Sequence, residues 1–256
     1  VFVACSTLCF SSEPLESALR HIAELEFDKI ELAITEDGGH LKLSEVAENP
    51  EAALHRLRQG PSLTPASLNL DFGNLEPSSP LLRKRFEAMC RLAKPLTVAV
   101  LTIQAAPVDT PFDQEVSRLT ELTGLAMREG LVLAVETNAR TLTADPTAAI
   151  DLCKAVPGLA LTLDPSHYIQ SQCKVADVDA LFPYVQNVHL RDTGKGPDEF
   201  QVQVGRGLIE YGRIISLLER QGYDRALTVS ILDRPNNPFD IEVEVRKLKL
   251  LLESLL

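Results

Sequence analysis

Short apolar runs alternate with longer amphipathic stretches from one end of the chain to the other. FVACS (2–6), KIELAI (29–34), LTVAVLTIQ (96–104), LVLAVE (131–136), LALTLD (159–164), VQNVHL (185–190) and ALTVSI (226–231) are nearly continuous in apolar residues. Strands read this way when both faces are buried, as in a parallel sheet. An eighth run, SLTPASLNL (62–70), is the weakest. Pro65 has no N–H for a mid-sheet ladder, so this strand is expected to begin after it. Between the runs, apolar residues recur at helical spacing. Leu15, Ala18, Leu19, Ile22 and Leu25 mark one face of a helix over 14–25, with Pro14 suited to its first turn. Further helices are predicted over 49–59, 78–93, 113–129, 145–155, near 176–182, over 210–221 and over 238–255. The last of these carries Ile241, Val245, Leu248, Leu252 and Leu255 on one face. Gly60, Gly130 and Gly222 follow three of the helices as C-caps. A glycine-rich loop, Glu36-Asp37-Gly38-Gly39-His40, follows the second strand.

Eight strands alternating with eight helical segments over 256 residues predict an α/β fold, a single-domain (β/α)8 TIM barrel spanning 1–256. A doubly wound open sheet is the alternative, but no GxGxxG follows the first strand. No Pro/Gly/Ser linker divides the chain, and no unit repeats closely enough for a solenoid.

With 45% hydrophobic residues the chain can bury a large core. The net charge of −11 argues against a nucleic-acid partner, since phosphate binding needs a basic surface. No apolar run reaches the roughly 18 residues of a membrane span. The opening VFVACSTLCF lacks a basic flank and reads as a first strand, not a signal peptide. The chain starts at Val1, so a processed or trimmed N-terminus is expected. Cys5, Cys9, Cys90, Cys153 and Cys173 are odd in number, with no CxxC pair, which suggests reduced thiols and a cytoplasmic location. Cys5 and Cys9 either face a site at a strand end or fill the core as small apolar residues.

The apolar runs end on residues able to bind a metal or move a proton. LVLAVETN delivers Glu136, LALTLDPSH delivers Asp164 and His167, and VQNVHLRD delivers His189, Arg191 and Asp192. In a barrel these strand ends ring one mouth. Two carboxylates and an imidazole suit Mn²⁺, Mg²⁺, Co²⁺ or Zn²⁺. Each residue alone has a plainer reading: Glu136 as a helix cap or partner of Arg140, His189 as a core histidine, Asp164-Pro165 as a turn. Arg140, Arg191, Lys195, Arg206 and Arg234 all fall in loops after strands five, seven and eight. They point to an anionic substrate, with Arg191 and Arg206 among its contacts, or to local pairing with Asp192, Asp198 and Asp233. His40 sits in a loop at the same end, whereas His21 and His55 fall in helices.

AVETN, LDPSH, NVHLRD, VGRGLIEYG and ALTVSI together resemble the sugar phosphate isomerase/epimerase family with the xylose isomerase-like barrel, over nearly the whole chain. The resemblance implies a divalent metal on Glu136, Asp164 and His189. It implies substrate contacts from His167, Arg191 and Glu31, with Glu136 and His167 moving protons. Gly205 and Gly207 would permit a tight loop over the pocket, and Glu210 would start the next helix. One position departs from the family pattern: Ser230 stands where many members carry the strand-eight Glu, which is both metal ligand and second acid/base. Asp233 reaching inward, water or Gln203 are the candidates to complete the coordination. The expected activity is a metal-dependent sugar or sugar-phosphate isomerase or epimerase working through an enediolate. A dehydratase or lyase of the same superfamily, or a sugar-binding barrel with impaired catalysis, is the alternative. Homo-oligomers are common in the family.

Overall fold

The computed structural model describes residues 1–256 apart from Gly39, Asn74, Pro77, Ser78, Pro197 and Asn236. Its elements, in order, are β1 (Phe2–Ser6), α1 (Leu15–Glu24), β2 (Lys29–Thr35), α2 (Leu43–Glu48), α3 (Pro50–Arg58), β3 (Thr64–Asp71), α4 (Pro80–Ala93), β4 (Val100–Gln104), α5 (Phe112–Arg128), β5 (Val132–Glu136), α6 (Pro146–Ala155), β6 (Ala160–Leu163), α7 (Pro165–Gln170), α8 (Val175–Asp179), β7 (Val185–Leu190), α9 (Tyr211–Arg220), β8 (Ala226–Val229) and α10 (Ile241–Leu255). All eight strands pair parallel in sequence order, and β8 closes on β1. The result is a (β/α)8 TIM barrel. No helix among the described residues is long and apolar enough to cross a membrane.

Alternation along each strand splits the core in two. Leu101, Ile103, Leu133, Val135, Leu161 and Leu163 face outward into the main core, which the helices cover. The inward set changes character along the barrel axis. Near the strand starts, Val100, Ala134 and Ala160 form a small separate apolar cluster. One layer higher, the Thr102 and Thr162 hydroxyls meet at 2.7 Å. Beyond them the interior is lined by Glu31, Ser67, Asn187, Glu136 and His189, all buried. Barrel interiors are usually filled by branched apolar residues. Here the upper layers are polar, and buried polar groups need partners.

Local chemistry accounts for the differences from the expected elements. β3 starts at Thr64 and includes Pro65, ahead of the expected start. The register between β2 and β3 shifts between Ile30 and Glu31, so Pro65 sits beside a bulge, where its missing N–H is tolerated. The apolar run at 96–104 is shared: Val98 N–H donates to the Ala93 carbonyl to close α4, Thr97 is left-handed at φ 56°, and the strand begins only at Val100. α2 and α7 have no counterpart among the predicted helices. At α7, Asp164-Pro165 is a helix start: Asp164 caps the Ser166 N–H and Pro165 takes the first helical position. Gly130 and Gly222 are left-handed after their helices, as a C-cap requires; Gly60 is not. The expected loop residue Gly39 and the expected helix start at Ser78 lie outside the described residues.

Candidate active site at the barrel mouth

The parallel register places Gln104 beside Glu136 and brings His189 level with Thr228. Ligand atoms of Glu136, Asp164 and His189 lie within 4.8 Å of one another, and all three residues are buried. The three predicted metal ligands therefore converge.

His189 is the hub. Its Nδ1 lies 2.7 Å from Glu136 Oε1 and its Nε2 2.8 Å from Glu31 Oε2. Burial works against the charged ring, but the two carboxylates outweigh it and hold the His189 pKa well above its ordinary value. Burial likewise pushes the Glu136 and Glu31 carboxyls up, and His189, joined by Asn187 and Ser67 at Glu31 and by His167 and Arg191 at Glu136, more than offsets it, so both end below the usual range. Gln104 Nε2 donates to the second Glu136 oxygen, and Gln104 Oε1 accepts from Asn138 Nδ2.

Glu31, expected to touch substrate, is instead fully buried behind His189, where Oε2 also accepts from Ser67 Oγ and Asn187 Nδ2, each at 2.9 Å. This is the position of a carboxylate that orients a ligating imidazole.

Asp164 is held from two sides. Oδ1 accepts from the Ser166 N–H and from the Ser166 hydroxyl. Arg191 Nη1 lies 2.8 Å from Oδ2 and also donates to Ser166 Oγ, so the guanidinium supplies the charge that compensates Oδ2. Glu31 Oε1 is buried without a hydrogen-bond partner. A buried oxygen with no partner at all, as at Glu31 Oε1, is unusual in protein interiors.

Arg191, 3% exposed, reaches across to β8, where Nε donates to the Ser230 carbonyl at 2.7 Å and Nη2 lies 3.4 Å from its hydroxyl. The corner at which an acid would be expected is thus taken up by a guanidinium. Asp233 does not turn inward; its Oδ2 accepts the Ser12 N–H. Gln203 is exposed on its loop, and the glutamine that reaches the site is Gln104.

His167 projects from α7, with Nε2 3.9 Å from Asp164 Oδ2. Burial lowers its pKa, against the pull of Asp164 and Glu136, which favours the neutral ring. Phe200 covers this side of the mouth, its ring 4.8 Å from the His167 ring and 4.8 Å from Arg191 Cζ. Its loop is organised by Asp192, whose carboxylate accepts N–H groups from Thr193, Gly205, Gly207 and Ile209. Gly205 is left-handed, and a Cβ on Gly207 would meet Asp192 Oδ1 at 2.1 Å, so both glycines are required. Arg206, on the same loop, is exposed. Glu210 precedes α9 without a side-chain capping bond.

A cavity of about 610 Å³ opens beside the mouth and reaches the site through Gln104. A second, of about 750 Å³, lies between α7, α8 and the Gly207 loop. His40 is buried against the Phe10 carbonyl, away from the cluster. Cys5 and Cys9 are buried free thiols in the core. Gln104 is legible by the same rule as Glu136, being the polar end of an apolar run. Phe200, Ser67 and Asn187 carry no comparable signal.

The sequence pattern of the xylose isomerase-like TIM barrel family matches residues 19–251. This chain belongs to that family. No curated protein matches it in sequence. Among solved xylose isomerase-like and related structures, the probable 3-DHS dehydratase AsbF of petrobactin synthesis from Bacillus anthracis is 16% identical, with a TM-score of 0.76 over 99% of each chain. The IOLI protein, solved with a zinc atom, is 19% identical, with a TM-score of 0.74 over 100% of this chain and 96% of that one. A xylose isomerase-like TIM barrel protein from Mycobacterium smegmatis, in complex with magnesium, is 18% identical, with a TM-score of 0.74 over 99% and 97%. At these identities the likeness carries the fold, and the chemistry rests on the site.

Proposed function

We propose that this protein is a metal-dependent isomerase of a small polyhydroxy carbonyl compound, a sugar or sugar phosphate, that works by removing a proton next to the carbonyl. One observation carries the reading: Glu136, Asp164 and His189, all buried, converge at the barrel mouth with their ligand atoms within 4.8 Å of one another. The donor set suits a divalent ion such as Mn²⁺, Mg²⁺, Co²⁺ or Zn²⁺. Held there, the ion would polarise the substrate carbonyl and acidify the neighbouring C–H.

Glu136 is the base in this reading. Its pKa lies below the usual range, so it is ionised at neutral pH, and Gln104 fixes its second oxygen. His167, neutral and close to Asp164, would carry a proton to or from a substrate hydroxyl. Arg191 and Arg206 would bind substrate, and Glu31 would hold the His189 ring. Moving a proton between adjacent carbons on one face of an enediolate needs a single base. Epimerisation at C-3 needs groups on both faces, and Ser230 offers no carboxylate for the second. Aldose–ketose isomerisation is therefore favoured over epimerisation. A dehydratase or lyase would share the first step and differ in product.

A binding barrel without turnover is the second reading. The Arg191 guanidinium, 2.8 Å from Asp164 Oδ2, favours it, because it already supplies a positive charge to one predicted ligand.

Metal content and Mn²⁺ affinity of the parent, Glu136→Gln and Ser230→Glu separate these readings, followed by a panel of aldoses, ketoses and their phosphates. Stoichiometric metal lost in Glu136→Gln, with aldose–ketose interconversion, is the expected result. Rapid C-3 epimerisation would overturn the one-base reading. A metal-free parent beside a metal-tight Ser230→Glu variant would favour the binding barrel.

A further inference from the structure

We propose that Glu115 and Arg118, a buried ion pair on α5, are positioning residues for the site: they fix the end of β4 so that Gln104 holds the Glu136 carboxylate in one orientation. The clamp on Gln104 stands apart from the proposed reaction; its value for removing a proton rests on that reading.

β4 ends at Gln104, where its ladder runs out. Pairing with β3 stops at Leu70 and Ile103, and pairing with β5 stops at Gln104 and Glu136. Backbone groups beyond that point need other partners. Two of them find α5. The Ala106 N–H donates to Glu115 Oε1 at 2.9 Å, and Arg118 Nη2 donates to the Gln104 carbonyl at 3.1 Å. The two side chains are locked to each other as well, with Arg118 Nε 2.7 Å from Glu115 Oε2 and Nη2 2.7 Å from Oε1. A bidentate pair of this kind fixes the planes of both groups. The peptide units on either side of Ala105 are therefore held by one rigid pair.

What they hold reaches the site. Gln104 Nε2 donates to Glu136 Oε2, and Gln104 Oε1 accepts from Asn138 Nδ2 at 3.0 Å. A carboxamide gripped at both ends has one orientation, so a tilt of its backbone passes to Glu136. The other Glu136 oxygen faces His189 Nδ1. Glu136 thus lies between His189 and Gln104, and α5 acts on it from the Gln104 side. Neither Glu115 nor Arg118 bonds to Glu136, Asp164 or His189 among the described residues.

Stability alone is a poor reason for this pair. The Glu115 side chain is 1% exposed and that of Arg118 10%. Two charges withdrawn from water lose hydration that their attraction barely offsets, so an apolar pair of similar volume would serve the core as well. Glu115 lies in the first turn of α5, yet its carboxylate accepts from Ala106 and Arg118 and from no N–H of its own helix. The buried acids among the described residues are Glu31, Glu136, Asp164 and Asp192 on or just after strands, and Glu115 and Glu244 on outer helices. Glu244 accepts the Val204 N–H at 2.7 Å, in the loop that carries Phe200. Both helical acids are directed at backbone beside the mouth.

The test is a double-mutant cycle in the full chain, with Arg118→Met and Glu115→Gln each made alone and together with Gln104→Ala. Glu115→Gln keeps the shape of its side chain and serves if Arg118→Met does not fold. The first readout is the Gln104 carboxamide signal in NMR of the metal-free protein, assigned by its loss in Gln104→Ala. Its solvent exchange should speed up about tenfold or more in either single variant. The second readout is Mn²⁺ affinity, since Glu136 is a proposed ligand. Each variant should weaken Mn²⁺ binding about fivefold with Gln104 present and less than about twofold with alanine there. A merely structural pair would lower the unfolding temperature in both backgrounds and leave the two Mn²⁺ effects equal. An unchanged carboxamide signal in the single variants, or equal Mn²⁺ effects with and without Gln104, would overturn the clamp. A parent that takes up no Mn²⁺ while its carboxamide signal responds as expected would count against the metal-dependent reaction and leave the clamp standing.

Discussion

Arg191 is locked onto Ser230, its Nε donating to the serine carbonyl at 2.7 Å while its Nη1 stands 2.8 Å from Asp164 Oδ2. One guanidinium thus ties the ends of β6, β7 and β8 together and compensates a fully buried carboxylate. The two partners should respond very differently to substitution. Arg191→Met leaves Asp164 buried without its cation and should cost about 3–5 kcal/mol in urea unfolding of the metal-free protein. Ser230→Ala removes only a long hydroxyl contact and should cost less than about 1 kcal/mol. Equal losses would mean that the Arg191 charge is not what stabilises this corner.

Metal affinity should rise with pH. With both ring nitrogens facing carboxylates and its pKa well above the ordinary value, metal-free His189 is an imidazolium near neutrality, which cannot ligate. Mn²⁺ binding must displace a proton, so affinity should climb as pH rises above the ordinary imidazole range and through the folded His189 value. Calorimetry in buffers of different ionisation enthalpy should show proton release on binding. A pH-independent affinity would remove His189 from the ligand set.

The metal-free protein should show the opposite slope in stability on the alkaline side. The raised His189 pKa contributes stability that is fully present below about pH 6.5 and is lost as pH climbs through the folded value. The depressed Glu31 and Glu136 values contribute stability present above about pH 4.3 and lost as pH falls through the folded values. Metal-free stability from this triad should peak between those limits, and bound metal should hold it up at higher pH. Thermal unfolding across pH, with and without Mn²⁺, reads both slopes.

Glu31→Gln keeps the shape of the buried side chain and removes the charge behind His189. The His189 pKa should fall, and Mn²⁺ affinity measured at alkaline pH, where proton competition for the ring is removed, should drop roughly 10–100-fold, as for other carboxylates that support a ligating imidazole. An NMR titration of the imidazole together with a Mn²⁺ titration checks both. Unchanged metal affinity would make Glu31 a purely structural partner.

Two glycines should move stability in opposite directions. A Cβ at Gly207 would meet Asp192 Oδ1 at 2.1 Å and the Thr193 nitrogen at 2.6 Å, so Gly207→Ala should cost about 1–3 kcal/mol and loosen the loop that carries Phe200. Gly124 lies inside α5, and a methyl group added there would meet nothing within 4 Å, so Gly124→Ala should gain about 0.5–1 kcal/mol. Denaturant midpoints of the two variants, measured side by side, test the pair.

The chain's own pattern determined the barrel and three of its mouth residues. Continuous apolar runs bury both faces of a strand, and a polar residue that ends such a run has only the mouth to occupy; Glu136, Asp164 and His189 follow from that logic alone. The pattern could not tell which way the upper interior would pair. Glu31 reads as a residue near substrate, but closure of β1 on β8 brings β7 across the axis from β2, and the strand-two carboxylate becomes the support behind His189. Ser230 reads as a missing ligand, and only the tertiary structure supplied Arg191 as the group that fills its corner. Phe200 carries no signal at all, since an aromatic residue in a long loop is unmarked until the fold lays it between His167, Arg191 and Arg234. Periodicity reports which face of an element is buried. Which buried charge meets which is settled by distances across the barrel between residues up to 158 positions apart in sequence, and no local pattern encodes those.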